Sequence, residues 1–231
     1  MIVQLYEKFR SWSNQTVWLY SDPHFDDPDC AAAVPGRPSS EEQVALINAK
    51  VGRKDTLILL GDVGDIEFAK KLRGYKVLIM GNHDAGVSNY QKRYYYENTL
   101  TKERVYKDEN PAYFNTIFYN NFADMVLKDN GLFDEVYAGP LIVGEKLLLS
   151  HEPMDIPGFL NIHGHVHSAA AKQDAAHLNV CSDVINYTPI NMNQLMKSGI
   201  LNKITTVHRT TIDKATKRAK KRGKNIVKYN S

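Results

Sequence analysis

Short apolar runs that end abruptly in polar residues constrain the fold of this chain more than any other feature. Each run has three to five residues, which is the length of a buried strand and too short for a helix. The runs are Thr16–Tyr20, Thr56–Leu60, Lys76–Met80, Lys146–Leu149 and Leu160–Ile162. Helix-like segments, Ser40–Lys50 and Asp65–Leu72, separate the first three runs. This alternation predicts an α/β fold with parallel strands and right-handed crossovers.

Aspartate, asparagine and histidine dominate the positions that follow these runs. The segments are Asp22-Pro-His24, Gly61-Asp62, Gly81-Asn-His-Asp84, Ser150-His151 and His163-Gly-His-Val-His167. Sheets with parallel strands place their functional sites at the carboxyl ends of the strands. We therefore expect these segments, although distant in the sequence, to meet at one polar site.

Local signals refine the helical segments. Ser40, which precedes two acidic residues, is the expected N-cap of the first helix, with Gln43 as the capping-box partner. Between Pro111 and Lys128, phenylalanines recur at every fourth position, which predicts a further helix there. These phenylalanines are Phe114, Phe118 and Phe122.

The chain has 231 residues, of which 43% are hydrophobic and 24% charged. This suits a single domain over residues 1–231 with a substantial core. Charged residues interrupt the first eighteen positions, and no long apolar run occurs, so neither a secretory signal nor a membrane span is expected. The two cysteines, Cys30 and Cys181, do not suggest a disulfide framework. A cytoplasmic location and no membrane partner are therefore expected.

Two regions differ from the rest in composition. The tail, Lys203–Ser231, has ten Lys or Arg against one Asp, a charge of +9, whereas the preceding residues sum to −6. The acidic body suits a site that collects cations, and the tail is either a solvated basic helix or a contact for nucleic acid. An insert at residues 88–134 holds ten of the 23 aromatic residues between Tyr90 and Phe122 alone. Packing is its expected role; the alternative is a cap that stacks on the substrate.

The residues at the strand ends have the chemistry of a metal site: two carboxylates, one amide oxygen and four imidazoles. They are Asp22, His24, Asp62, Asn82, His151, His165 and His167. Mixed nitrogen and oxygen ligands suit Mn²⁺, Fe²⁺, Ni²⁺ or Zn²⁺ better than Ca²⁺ or Mg²⁺. Two ions roughly 3.5–4 Å apart need a bridging anion, which one aspartate can supply. Such a pair of ions serves the hydrolysis of phosphate esters.

In order and spacing, these motifs resemble the calcineurin-like metallophosphoesterases. The resemblance spans about Val17 to His167, and its five ordered motifs make it specific. Two later segments and one earlier segment resemble the small bacterial and phage-type branch: Asn179–Asp183, Tyr187–Ile190 and Arg37–Glu42. The resemblance implies an αββα sandwich, in which two mixed sheets are flanked by helices. It also implies a phosphoesterase that uses a hydroxide bridging two ions for in-line attack on a phosphate mono- or diester.

The resemblance further implies a role for each residue. Asp22, His24 and His167 would hold the first ion, Asn82, His151 and His165 the second, and Asp62 would bridge them. Manganese is the expected metal, with iron, nickel or zinc as alternatives. His83 would be the general acid. Asp65 would orient that histidine, although Ile66-Glu67 replaces the Arg-Gly that usually follows.

The other polar residues near the motifs have simpler expected roles. His163 falls outside the ligand pattern and is expected to pack or support the site, and Asp84 is expected to support the site or cap a turn. Asp26, Asp27 and Asp29 are expected in a solvated loop, and the alternative is that they tune the site.

Three functions remain open on the sequence. The first is a phosphodiesterase or phosphomonoesterase for a small or nucleotide-like substrate. The second is a nuclease that uses the basic tail to hold nucleic acid. The third is a non-catalytic scaffold, but scaffolds with this fold have lost the catalytic histidine, and His83 is present here. The motifs leave the oligomeric state undefined.

Overall fold

The structure is a computed structural model of the chain, and it describes residues 12, 15–84, 89–106, 124–144, 146–167, 174–205, 214 and 216–218. The strands are β1 (Val17–Tyr20), β2 (Thr56–Leu59), β3 (Tyr75–Ile79), β4 (Tyr94–Asn98), β5 (Arg104–Tyr106), β6 (Met125–Asp129), β7 (Glu135–Tyr137), β8 (Leu141–Ile142), β9 (Leu147–Leu149), β10 (Leu160–His163), β11 (His177–Asn179) and β12 (Ile190–Asn191). The helices with defined bounds are α1 (Pro28–Ala33), α2 (Ser40–Lys50), α3 (Ile66–Lys70), α4 (Met192–Lys197) and the 3₁₀ helix Ile200–Lys203.

The five apolar runs all form strands, which confirms the predicted α/β fold. They are β1, β2, β3, β9 and β10, and their bounds differ from the runs by one residue at most. The first sheet has the order β12-β1-β2-β3-β7, with only β12 antiparallel to its neighbour. The second sheet has the order β11-β10-β9-β8, with only β8 antiparallel.

Alternating side chains of the first sheet enter two separate cores, as the two-residue period of a strand requires. From one face, Val17 and Leu19 of β1 pack in a cluster that also contains Leu149 and Ile162 of the second sheet. This core therefore lies between the two sheets. From the other face, side chains of β1, β2 and β3 pack against α2 in a second cluster. Its members include Tyr20, Leu57, Leu59, Leu78, Val44 and Ile47.

The insert forms a third, antiparallel sheet in the order β5-β4-β6. The helix predicted within Pro111–Lys128 is wrong for its described end, since Met125–Asp129 form strand β6. Each of these five residues pairs with a residue of β4, and this long-range pairing outweighs the local four-residue spacing. Phe114, Phe118 and Phe122 lie outside the described residues.

Helix α2 starts where the sequence predicted, but its cap differs by one residue. The N-cap is Ser39, whose Oγ accepts from the Glu42 N–H at 3.3 Å while the Glu42 carboxylate accepts from the Ser39 N–H at 2.8 Å. Ser40 instead accepts the Asp26 N–H at 2.8 Å. The hydroxyl that was expected to cap the helix therefore fixes the loop that precedes α1.

Most of the basic tail lies outside the described residues, so its role stays a prediction, as does the single-domain organisation. Within the part of the chain that the structure describes, no helix has both the length and the apolar character needed to cross a membrane.

Candidate metal centre

The carboxyl ends of β1, β2, β3, β9 and β10 converge, as the sequence predicted, and the turns after them present the polar side chains. Four of the expected ligands have left-handed backbone, with φ of 55° at Asp22, 42° at His24, 52° at Asp62 and 65° at His165. Residues other than glycine adopt this conformation rarely, and it accumulates at functional sites. These turns aim side chains inward at the expense of local backbone preference.

Two of the glycines in the motifs are required by close approach. A Cβ on Gly164 would overlap Ser21 Oγ and Asp22 Oδ2, and a Cβ on Gly81 would overlap Asp62 Oδ1. Only glycine allows the backbone of one turn to lie directly against a carboxylate of another. The glycines therefore permit the crowding of ligands on which the site depends.

Asp62 belongs to two groups of possible ligands. Its carboxylate lies within 4.8 Å of ligand atoms of Asp22 and His24 in one group and of His151 and His165 in the other. Asp62 Oδ2 is 3.5 Å from His24 Nε2 and 3.3 Å from His151 Nε2. A single carboxylate shared between two ligand groups is the arrangement that a pair of bridged ions requires.

The second group is completed by an amide. His151 Nδ1 donates to the Leu60 carbonyl at 2.7 Å, which directs Nε2 into the site. There, His151 Nε2 lies 2.8 Å from Asn82 Oδ1 and 3.1 Å from His165 Nδ1. Asn82 Oδ1 and His165 Nδ1 are also 3.1 Å apart. Atoms that can offer lone pairs thus converge on one point, which suits a cation.

His167 lies beside the first group, which also contains an imidazole nitrogen without a hydrogen-bond partner. His167 Nε2 lies 3.8 Å from Asp22 Oδ1, and its ring centre is 5.1 Å from that of His24. Among the described residues, His24 Nε2 is the one buried side-chain nitrogen or oxygen without a hydrogen-bond partner. Such orphaned atoms are rare in native structures and call for a ligand or another explanation. The nitrogen and oxygen ligands, together with the unpartnered His24 Nε2, fit divalent metal ions.

Electrostatics at the site favour positive charge. Burial opposes protonation of His151, but the hydrogen bond to Asp62 and the charges of Asp22 and Asp62 outweigh it and raise its pKa to about 9. Burial likewise disfavours the charged Asp62, yet its interactions with His151 lower its pKa. Two buried carboxylates thus hold a proton that a metal ion could replace.

Carboxylates outside the ligand set orient the ligands. Asp27 accepts from His24 Nδ1 at 2.8 Å, which favours the alternative that it tunes the site over a merely solvated role. Asp84 supports the site as expected: it is fully buried and accepts from the N–H groups of Gly81, Asp62 and Val63. Second contacts of this kind fix the direction of metal ligands.

His83 and Asp65, the two predicted catalytic residues, occupy different positions. His83 is exposed, its N–H donates to Asp62 Oδ1 at 2.9 Å, and its ring centre is 5.3 Å from that of His24. Asp65 caps α3, where its carboxylate accepts the Glu67 N–H at 2.9 Å. The role of Asp65 in orienting His83 stays a prediction.

Sequence reasoning gave no role to Asp183, whose carboxylate contacts the imidazole of His167, or to Arg37 and Tyr187, which both donate to that carboxylate. The residues lie in segments noted above only for their resemblance to one branch. A buried arginine paired with an aspartate is a signal that becomes visible only in three dimensions. His163 is packed, as expected: it is buried, and its Nδ1 donates to the Gly164 carbonyl at 2.8 Å.

The free cysteines also lie beside the ligands. Cys30 Sγ is within 4.8 Å of ligand atoms of His24 and His167, and buried Cys181 Sγ is 3.5 Å from His167 Nδ1. Burial raises the pKa of Cys181, so its thiol remains protonated at neutral pH. Its small side chain therefore suits close packing against the imidazole of His167.

The family model for the calcineurin-like phosphoesterases matches residues 15–179, which include all seven expected ligands. The chain belongs to this family. The family assignment and the clustered ligands support a metal-dependent enzyme that hydrolyses phosphoesters. The match does not distinguish a branch of the calcineurin-like phosphoesterases, so the bacterial and phage-type assignment stays a prediction.

Among solved structures, the chain is similar to a protein of unknown function from Aquifex aeolicus, with a TM-score of 0.51 and 21% sequence identity. The similarity covers 80% of this chain and 99% of the other. At this identity, it supports the fold alone. The comparison with curated proteins found no significant match.

Proposed function

We propose that this chain hydrolyses a phosphate mono- or diester of a small or nucleotide-like substrate with two divalent ions bound at the strand ends. The observation that carries the proposal is the carboxylate of Asp62, shared by two groups of potential ligands. The unpartnered, buried His24 Nε2 in one of these groups supports it. A cavity of about 420 Å³ beside His24 has the size of a small-ligand site.

The ligands divide between the two ions around Asp62. The first ion would be held by Asp22, His24 and His167, the second by Asn82, His151 and His165, with Asp62 as the bridge. When bound, the ions would lower the pKa of a water and neutralise charge on the phosphate. Manganese is our preferred metal, and the mixed ligands also suit iron, nickel or zinc.

His83 is the general acid of the proposed reaction. Its backbone is held by Asp62, which supports a fixed position at the rim of the site, and its exposed imidazole is free to meet a substrate. A proton from His83 would stabilise the leaving oxygen as its bond to phosphorus breaks. The presence of this histidine favours an enzyme over a non-catalytic scaffold.

The nuclease alternative depends on the basic tail, which lies mostly outside the described residues. No contact in the described part of the chain favours it over a small substrate. Removing residues 203–231 tests it: nucleic-acid binding that weakens and loses its salt dependence would support the tail as an arm.

The proposal is tested by metal content and hydrolysis of an aryl phosphodiester. Chelation should abolish hydrolysis, and added Mn²⁺ should restore it. Asp62→Ala should lose at least about 10³-fold in kcat, because the ions contribute several kcal/mol to transition-state stabilisation. The exposed Asp129 of β6 provides the control, since Asp129→Ala should keep full activity. A folded Asp62→Ala protein with full activity would contradict the two-ion site.

A further inference from the structure

His167 is held from behind by a buried carboxylate. Asp183 Oδ2 lies 2.5 Å from His167 Nδ1, so the imidazole donates there and its Nε2 is left to face Asp22. Arg37 Nη1 donates to both oxygens of Asp183, at 2.7 and 2.8 Å, and the Tyr187 hydroxyl donates to Oδ1. Each of these three partners of the carboxylate is therefore a donor.

The same arginine also holds the turn that presents Asp22. Arg37 Nη2 donates to the carbonyls of Asp22 at 2.8 Å and Pro23 at 2.6 Å. The Ser182 hydroxyl donates to the Asp22 carbonyl as well, at 2.8 Å. These bonds fix a turn whose first residue has the left-handed φ of 55°. One guanidinium thus connects two ligands that are far apart in sequence.

Burial shows that this pair is more than a surface ion bridge. The side chains of Arg37 and Asp183 are only 3% and 7% exposed. Burying two charges requires desolvation of both, so a buried pair is weak evidence for stability alone. The planar guanidinium does, however, fix directions closely, because Nη1 donates to the carboxylate while Nη2 donates to the two carbonyls. We therefore expect the pair to matter for the geometry of the site more than for the stability of the fold.

We propose that Arg37 and Asp183 are positioning residues of the metal centre, which together fix the direction of His167 and the turn of Asp22. The inference rests on the proposed function, because it assumes that an ion binds between these ligands. Without the Arg37–Asp183 pair, the ring of His167 could rotate so that Nδ1 faces the site, and Asp22 could leave its turn. Carboxylate partners of metal-bound histidines act in this way and raise ligand basicity.

The test measures Mn²⁺ binding to the full chain by calorimetry, with the unaltered protein and Asp183→Asn. An amide keeps the shape of the carboxylate but turns an NH₂ group toward one of the surrounding donors. The affinity of one of the two ions should fall about 10- to 100-fold. The control is Asp134→Asn, at the opposite end of β3, where Asp134 pairs with Lys92. It should leave both affinities unchanged.

Arg37→Lys supplies an independent variant and decides the question alone if Asp183→Asn does not fold. Lysine keeps the charge but cannot bridge the carboxylate and both carbonyls, so an intermediate loss of affinity for the same ion is expected. In the Co²⁺-loaded protein, the visible spectrum should change in Asp183→Asn and Arg37→Lys but not in Asp134→Asn. A purely structural pair would lower the melting temperature and leave the spectrum unchanged.

The outcomes separate the two hypotheses. Fewer than two bound ions in the unaltered protein would overturn the proposed function, and this inference with it. Two ions in the unaltered protein, with unchanged affinities and spectrum in the folded variants, would overturn the inference alone.

Discussion

Charged and polar groups are buried at both ends of strand β3, but the two ends differ in how these groups are hydrogen-bonded. At the amino end, Lys76 is buried, and its Nζ donates to the carbonyls of Ala69, at 3.1 Å, and Gly131. Its N–H donates to Asp134 Oδ2 at 2.8 Å. At the carboxyl end, the buried His24 Nε2 has no hydrogen-bond partner, and potential acceptors of the neighbouring turns crowd together.

The difference lies in whether the buried polar groups satisfy one another. At the Lys76 end, donors face acceptors, which is how a folded protein tolerates a buried charge. At the site end, the arrangement is completed only by a cation. Burial of charge therefore does not by itself identify a metal site. A converging set of ligand atoms that includes a buried nitrogen without a hydrogen-bond partner does.

Apart from the loss of the bridging Asp62, the largest effect at the site end should come from His83. In His83→Ala, both ions should remain bound, and kcat on an alkyl phosphoester should fall about 10²- to 10⁴-fold, the usual contribution of a general acid. A p-nitrophenyl ester should lose much less, because its leaving group departs without a proton. The measurement is kcat for both esters, with metal content determined on the same samples.

His151→Ala serves as the comparison for His83→Ala. It removes a proposed ligand rather than an acid, so metal content should fall and both esters should lose activity together. Equal losses on both esters in a metal-replete His83→Ala protein would instead indicate a role in phosphate binding or charge stabilisation.

Asp84→Asn should cost stability and function together. Its carboxylate accepts from three backbone N–H groups and from the Tyr90 hydroxyl. The amide would direct its NH₂ group at one pair of these donors, and we expect a loss of about 2–4 kcal/mol in the free energy of unfolding. Because Asp84 holds the N–H of Asp62, Mn²⁺ affinity should also fall. Asp134→Asn should lose stability only; a loss of Mn²⁺ affinity there would remove the distinction between the two ends.

The expected ligands could be predicted because each has a local sequence signal. A short apolar run ending in Asp, Asn or His marks both the strand and its polar end. The sequence therefore predicts five strands correctly: β1, β2, β3, β9 and β10. The topology of parallel sheets then brings those ends together. The left-handed turns that direct these side chains inward result from the crowding of ligands at the site. No local sequence signal predicts them.

Contacts between distant residues could not be predicted in the same way. Arg37 and Asp183 are separated by 146 positions, and although each lies in a segment that resembles one branch of the family, no local signal pairs them. Strand β6 was missed for a similar reason, since its pairing with β4 depends on residues about thirty positions away. For Asp27, three residues from His24, the sequence left two roles open, because an aspartate-rich segment is also typical of a solvated loop.

Lys76 predicts a pH dependence at the other end of β3. Burial, together with the charge of Lys92, lowers the pKa of Lys76 from 10.5 to about 8. Between these values the unfolded chain binds more protons than the folded one, so stability should rise with pH from about 8 to 10.5. The gain should approach about 3 kcal/mol and be absent in Lys76→Met. Urea unfolding of both metal-free proteins across this range measures the difference; parallel curves would contradict the lowered pKa.

The smallest effect should distinguish the two serines at the start of α2, near the site end. Ser39→Ala removes the acceptor for the Glu42 N–H and should lower the free energy of unfolding by about 1 kcal/mol. Ser40→Ala leaves that cap intact and releases only the Asp26 N–H, so its loss should be smaller. Both variants should retain their ions, since neither serine is a proposed ligand. Urea unfolding of the two variants decides between them: a larger loss in Ser40→Ala would identify Ser40 as the cap, as the sequence alone had suggested. The reverse order would show that a one-residue shift assigns one hydroxyl to the helix and the next to the loop beside His24.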